Sequence, residues 1–460
     1  MQEIIEKAYT DKRTFFDHGK TRDYDFRKEQ LVKLKATIKK YEEPILKALY
    51  DDLHKPKFEA FGSEVGFMYQ EINHTLQHLK KWMKPKKVAT PLAHFPSKSK
   101  VYSEPLGIVL VLAPWNYPFQ LLMAPLVSAI AAGNCVVLKT ANQTPETSNI
   151  IAKIIAETFD DNYVSTISLE DLQVIPDMID KYRFDHIFFT GSTRVGKLIM
   201  SAAAKQLIPV TLELGGKSPC VVDKTANIEV AAKRIAWSKA YNAGQTCVAP
   251  DYVLAHSAIK DELVQKMGRY FDEILGDDPE NSENFGHLIH DKHFESVTAF
   301  LKDGNIIYGG KTNAEKRFIQ PTIMDKVKMD SAIMQEEIFG PILPIITWNT
   351  FEEAADVIRK NPYPLAFYVY ANDEKLENRF IHSFPFGGGC INNGLAHLNN
   401  PNIPFGGVGS SGMGRYHSKE GFDTFSHKKS IMQTATWFDN KIKYAPYTET
   451  NYKLLKWFFR

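Results

Sequence analysis

The chain has 460 residues, 44% of them hydrophobic, 24% charged and 12% aromatic, which excludes a fibrous, extensively disordered or disulfide-stapled protein. Lys and Arg number 56 against 54 Asp and Glu, a net charge of +2, and no block of like charge stands out along the chain. Electrostatic capture of nucleic acid is therefore excluded, and small molecules are the expected ligands. The length predicts about three domains around ample core.

The N-terminal stretch MQEIIEKAYTDKRTFFDHGKTRDYDFRKEQ mixes both charge signs and lacks an apolar core followed by small residues, so no secretory signal is expected and the cytoplasm is the default location. Residues 29–52 and 63–83 repeat apolar side chains at helical spacing with charges between them, which predicts surface-facing helices. Residues 84–99, with Pro85, Pro91 and Pro96 among basic residues, read as a connection or an edge ribbon.

Residues 107–138 contain no charged side chain and are long enough to suggest a membrane span, which needs ~20 apolar residues. Pro114, Pro118 and Pro125, with Asn116 and Gln120 between them, would leave polar groups unsatisfied in lipid. The stretch reads instead as strand GIVLVL, turn APWNYPF, helix LLMAPLVSAIAAG and strand CVVLK, a βαβ unit buried on both faces. Farther on, the β-branched runs YVSTISL, HIFFT, VTLEL, PCVVD and YVLAH alternate with helical patterns, which predicts mostly parallel sheets covered by helices. A change of character near Pro209 divides them into two α/β series. From Ser411 the chain is polar and aromatic without clean helical period and reads as a tail packed on another domain or subunit. The terminal YKLLKWFFR is too short to span a membrane; packing on a neighbour is expected, with contact to a membrane surface as the alternative.

The four cysteines are widely spaced, without CxxC pairs or a comb of metal ligands, so free thiols, a reducing compartment and no metal site are expected. Cys135 and Cys220 lie in or beside apolar strands, and Cys390 enters a short apolar turn; all three read as structural. Cys247 differs. In NAGQTCVAP it follows a helix ending near Tyr241 and sits in an irregular loop, where a thiol is either a small buried hydrophobe or a nucleophile. Glu213 stands at a strand end between Leu212 and Leu214, with Gly215 and Gly216 allowing close approach; it is either desolvated and suited to general-base work or turned to solvent. Asn116, in the Pro-flanked turn, can donate to an oxyanion or simply bond backbone.

The loop Gly191 to Gly196 follows HIFFT and opens the helix LIMSAAAKQL, a place that offers free N–H groups to a phosphate. It matches neither standard phosphate motif. Leu198 stands where a P-loop needs Ser or Thr, which leaves an NTPase as a remote alternative, and Thr193 replaces the second glycine of GxGxxG.

The strings PWNYPF, FTGSTRVGK, LELGGKSP, GQTC, EEIFGP and PFGGVGSSGMGRYH occur in the order found in the NAD(P)-dependent aldehyde dehydrogenases. From about Ser103 to Ser430 the chain resembles that family, most of all its class 3 branch, and the resemblance is weaker before Ser103. It implies an α/β fold of two Rossmann-like doubly wound domains plus a small bridging or oligomerisation element. Residues 1–80 and 102–208 would bind cofactor, 209–408 would form the catalytic domain, 81–101 and 409–445 the bridge, and 446–460 a tail. By the same resemblance Cys247 is the nucleophile, Glu213 the base for deacylation, and Asn116 an oxyanion donor together with the Cys247 backbone N–H. Gly191, Ser192, Val195, Gly196 and Leu214 would receive the cofactor, Glu337 and Phe339 its nicotinamide ribose and ring, and Lys139 its adenosine ribose. Most members continue after that lysine with Pro-Ser-Glu, whose carboxylate repels a 2′-phosphate. Here the sequence is Thr140-Ala141-Asn142, so use of both NAD and NADP is expected. The implied reaction is oxidation of an aldehyde to the acid, with a homodimer and medium-chain aliphatic or aromatic aldehydes by analogy. The alternatives are a CoA-acylating dehydrogenase and an inactive nucleotide-binding homologue.

Overall fold

The computed structural model describes residues 2–167, 174–439 and 441–459. The uncharged stretch forms the centre of the fold. Strand Ile108–Leu112, helix Gln120–Ala132 and strand Cys135–Lys139 follow one another, and every residue of the three is buried. Gly133 ends the helix at φ +95°, a left-handed conformation that costs a residue with a Cβ. Its N–H reaches the carbonyls of Ala129 and Ile130, each at 3.0 Å.

Around this unit lies a six-stranded sheet in the order Gly412–Met413, Val210–Glu213, His186–Thr190, Ile108–Leu112, Cys135–Lys139, Val164–Ile167. All pairs are parallel except the first. The chain moves outward from Ile108–Leu112 to Val164–Ile167, then returns to lay the next two strands on the opposite side. Where the order reverses, the connections leave the carboxyl ends of Ile108–Leu112 and His186–Thr190 in opposite directions and open a crevice.

A second sheet runs Asn305–Tyr308, Thr322–Asp325, Ile342–Trp348, Tyr252–His256, Pro219–Val222, Ala366–Tyr370, Gly388–Ile391, parallel except at its first pair. The architecture is thus α/β with two Rossmann-like parallel sheets, as expected. The proline-rich stretch is indeed an edge ribbon: Lys86–Val88, Ser97–Pro105 and Ser426–Thr434 form a separate antiparallel sheet.

Several expectations need correction. The run VTLEL does not open the second series; Val210–Glu213 pairs with His186–Thr190, so the change of character at Pro209 falls inside the first sheet. The segment after Ser411, expected as a packed tail without regular structure, forms a strand and a helix. Gly412–Met413 closes the first sheet against Val210–Glu213, and helix Ser418–Thr424 packs on helices Gly66–Met83 and Gln120–Ala132, with Phe422 and Phe425 buried. A two-residue strand and a seven-residue helix are too short for periodicity to reveal. The periodic run at 29–52 is two helices, Tyr24–Lys40 and Glu42–Leu53, broken at Tyr41, and their inner faces join the core through Leu31, Leu34, Ile45 and Leu49. The helix expected from Ser63 opens with a π-turn, Phe61–Val65, before Gly66–Met83. The strand predicted in YVSTISL is seen at Val164–Ile167, and its last residues, Ser168 and Leu169, lie outside the described residues. The terminal helix Glu449–Phe459 exposes Tyr452, Leu454, Leu455 and Trp457. Among the described residues no helix is long and apolar enough to cross a membrane.

A Cβ at position 133 would fall 2.4 Å from the guanidinium of Arg27, which donates to the Thr21 and Ala131 carbonyls at 2.7 and 2.9 Å. Gly133→Ala is expected to cost about 2 kcal/mol from backbone strain and overpacking together, read as a lower urea midpoint at unchanged slope.

Candidate active site

The turn after strand Ile108–Leu112 enters the crevice and carries Asn116, which is 4% exposed. Its side-chain Nδ2 donates to the Gln245 carbonyl at 3.0 Å, and its own carbonyl accepts from Lys55 Nζ and Asn242 Nδ2, each at 3.0 Å. Of the two roles foreseen for this residue, the bond to backbone is present, and it uses one of the two amide protons.

The loop bearing Cys247 is built by unusual backbone. Helix Ile228–Ala240 ends, and Asn242 and Ala243 both adopt φ 52°. Gly244 follows at φ +73°, where a Cβ would fall 2.3 Å from the Gly340 carbonyl. The loop is held open by Gln245, whose Nε2 donates to the carbonyls of Asn242 and His287 at 3.1 and 3.0 Å and whose Oε1 accepts from Ile289 N–H at 3.0 Å. Thr246 Oγ1 bonds the Tyr117 hydroxyl at 2.7 Å. Cys247 is left half-buried at a cavity wall, while Cys135 and Cys220 are fully buried.

That cavity, about 460 Å³, is lined by Asn116, Gly191, Ser192, Glu213, Leu214, Cys247, Glu337 and Phe339 together. Glu213 ends its strand 2% exposed, and neither carboxylate oxygen has a hydrogen-bond partner. Burial pushes its pKa well above the ordinary carboxylate range. Glu337 lies against the Gly215 backbone, where a Cβ would come within 2.0 Å of its carboxylate, and burial raises it to about 8. Its loop is clamped by the buried Lys217, which pairs with Asp251 and donates to the carbonyls of Ile333 and Glu336 at 2.7 and 2.8 Å. Burial, then the charges of Glu337 and Glu213, push the Cys247 thiol up.

Ser192 caps helix Thr193–Lys205, its side chain accepting the Val195 N–H at 3.4 Å, and the Leu214 side chain lies against Gly196. Lys139 and Asn142 stand apart from the cavity lining, at the carboxyl end of strand Cys135–Lys139. Lys139 Nζ donates to Asn142 Oδ1 at 2.9 Å, and burial lowers its pKa to about 8. Val195 and Gly196 lie in the first turn of the capped helix, likewise outside the cavity lining. A crevice with a helix N-terminus at its wall, Gly191 and Gly196 closely packed by the Phe189 and Leu214 side chains, and a lysine at a neighbouring strand end fits a dinucleotide. No cluster of metal-binding side chains occurs among the described residues.

Trp115, Tyr117 and Trp237 line the cavity, whereas Phe119 is fully buried in the core. Sequence reasoning missed Leu395, Phe405, Tyr416, His293 and His417, which also line it. Phe405 and Tyr416 stand within the PFGGVGSSGMGRYH motif, a signal that was present but carried no assignment. His293 bonds the Phe339 carbonyl at 2.8 Å, and burial lowers its pKa to about 4.

The model of the aldehyde dehydrogenase family matches residues 1–431, so the likeness extends through the N-terminal helices as well. The chain is 47% identical over 461 residues to a 4,4'-diaponeurosporen-aldehyde dehydrogenase of Staphylococcus aureus, covering 99% of each. The chain belongs to the aldehyde dehydrogenase family. It is also similar to the dimeric, NADP-preferring aldehyde dehydrogenase of Canis lupus familiaris, at 40% identity over 96% of each chain. Among solved structures, the substrate-bound state of Staphylococcus aureus AldH superposes with a TM-score of 0.96 at 47% identity, covering 99% of both chains. As a member of this family the protein is an oxidoreductase acting on aldehydes with NAD or NADP.

The two carboxylates beside Cys247 have a measurable consequence. Glu337→Gln removes one negative charge, so the Cys247 thiolate forms more easily and iodoacetamide alkylates it faster. Because Glu337 itself ionises only near pH 8, the faster alkylation by iodoacetamide is expected at pH 8–9 and fades toward pH 6.

Proposed function

We propose that Cys247 is the nucleophile of a hydrolytic aldehyde dehydrogenase, with Asn116 in the oxyanion site and Glu213 as the base that activates water. The observation that carries this reading is one cavity holding a half-buried thiol, a spare amide donor and a buried carboxylate with no partner. The carboxyl end of the first sheet is the cofactor side. Gly191, Ser192, Val195, Gly196 and Leu214 would hold the pyrophosphate, Glu337 and Phe339 the nicotinamide ribose and ring, and Lys139 and Asn142 the adenosine ribose. Bound there, NAD or NADP supplies a ring that accepts hydride.

The Cys247 thiolate adds to the aldehyde carbon, and the oxygen that gains the charge is held by the Asn116 amide and the Cys247 backbone N–H. Once the carbon has lost hydride, Cys247 carries a thioester. Glu213 takes a proton from water as the water oxygen bonds to the thioester carbon; the C–S bond then breaks, the acid leaves and the thiolate returns to Cys247. A base for water favours hydrolysis over transfer to CoA. Phe67, Trp115, Leu121, Trp237, Leu395 and Phe405 give the cavity apolar walls, which suits an apolar aldehyde. The name of the Staphylococcus aureus relative points the same way.

Cys247→Ala is expected to abolish oxidation while retaining cofactor binding, and Glu213→Gln to retain a burst of reduced cofactor but stall afterward. In the parent enzyme the deacylation rate should rise with pH through a pKa above the ordinary carboxylate range, because only ionised Glu213 accepts a proton; the glutamine variant should lose that limb. No burst in Glu213→Gln, or full turnover in Cys247→Ala, contradicts the reading.

Both cofactors should support turnover, since Asn142 places no charge against a 2′-phosphate. A ratio of kcat/KM for NAD over NADP above ~10³ would contradict this, because that discrimination needs ~4 kcal/mol. Asn142→Glu should lower kcat/KM for NADP by about tenfold or more relative to NAD.

A further inference from the structure

Outside the reacting groups, one atom draws two buried donors. The backbone carbonyl of Asn116 accepts from Lys55 Nζ and from Asn242 Nδ2, each at 3.0 Å. Lys55 is ion-paired with Glu64, and both side chains are 0% exposed. The other Glu64 oxygen accepts the backbone N–H of Phe119 at 2.9 Å and of Gln120 at 3.2 Å. The Lys55 ammonium also lies 4.2 Å from the centre of the Tyr117 ring. One buried pair therefore grips the turn from Asn116 to Gln120 at its start, middle and end. Asn242 extends the grip, because its Nδ2 also donates to the Gln245 carbonyl at 3.2 Å, the same oxygen that receives the Asn116 amide.

An ion pair with no exposure is a poor source of stability, since an apolar pair of similar volume does as well or better. Its geometric content is another matter. A carbonyl held from two directions fixes the peptide plane from which the Asn116 side chain departs, and the bond from Asn116 Nδ2 to the Gln245 carbonyl then sets where its amide lies. We propose that Lys55, neutralised by Glu64, is a positioning residue for the reaction: it fixes the Asn116 carbonyl and so aims the Asn116 amide at the oxyanion formed on Cys247. Asn242 ties that carbonyl to the cysteine loop, so the side-chain and backbone donors of the oxyanion site share one anchor. The inference rests on the oxyanion role assigned to Asn116 above.

The test is a cycle of single-turnover measurements on Lys55→Met/Glu64→Gln, which leaves no unpaired charge in the interior, on Asn116→Ala, and on the three changes combined. Lys55→Met/Glu64→Gln should slow hydride transfer by ~10- to 100-fold, the effect of small misplacement of a donor, while the dissociation constants for NAD and NADP stay within about twofold. Added to Asn116→Ala, the pair change should cost less than about twofold more, because no amide remains to be aimed. Lys55→Arg, which keeps the charge and a donor, should recover part of the rate. Losses that multiply, or a normal rate in Lys55→Met/Glu64→Gln when Asn116→Ala is impaired, overturn the proposal and leave the oxyanion reading standing. A normal rate in Asn116→Ala removes the oxyanion reading itself. Should the pair variant not fold, Asn242→Gly keeps the left-handed backbone, removes the second donor and must show the same loss without multiplication; additive behaviour there also overturns the proposal.

Discussion

Reversal of strand order in the first sheet is the constraint on which the site depends. Parallel strands joined by buried crossover helices must send their connections out at the carboxyl edge. At the boundary between Ile108–Leu112 and His186–Thr190 two such connections diverge, and the gap between them is unavoidable. Asn116 follows the first of these strands, the loop Gly191 to Gly196 follows the second, and Glu213 ends the strand beyond. The cysteine loop, from the second sheet's side of the molecule, closes the remaining wall.

Inside that gap the governing quantity is the cost of charge away from water. Glu213 and Glu337 are both buried and both pushed upward, and burial of the Cys247 thiol, reinforced by their charges, holds it up as well. Burial and like charge disfavour the Cys247 thiolate, and the Glu213 carboxylate has no hydrogen-bond partner. Two other buried lysines in the same region are ion-paired and bonded to backbone. Lys55 with Glu64 and Lys217 with Asp251 hold backbone rather than substrate, the first around Asn116 and the second around Glu337. The unpartnered Glu213 faces the cavity, and these two satisfied pairs shape it.

Much of this was legible in the chain itself. An uncharged run with three prolines could be only a buried βαβ unit, and the alternation of β-branched and helical segments implied parallel sheets. Ordered motifs pointed to Cys247, Glu213 and Asn116, which the structure brings to one cavity. Pattern alone left each of them ambiguous, since a thiol in an irregular loop and a carboxylate at a strand end have common structural roles. Elements that sequence periodicity could not resolve were short or non-local. Gly412–Met413 needs only two residues to extend a sheet, and Ser418–Thr424 is under two turns. The assignment of Val210–Glu213 to the first sheet depends on which partner its edge meets, a fact no local pattern contains.

The sequence by itself determined the longer strands and helices, where the punctuating glycines and prolines fall and which side chains are candidates for chemistry. Those properties follow from local sterics and from the period of apolar residues. Only the tertiary structure decided that Glu213 lacks any hydrogen-bond partner, that Phe119 turns into the core while Trp115 and Tyr117 face the cavity, and that Lys55 reaches the Asn116 carbonyl. Desolvation and hydrogen-bond satisfaction are sums over neighbours distant in the chain, so they come into existence only when the chain has folded.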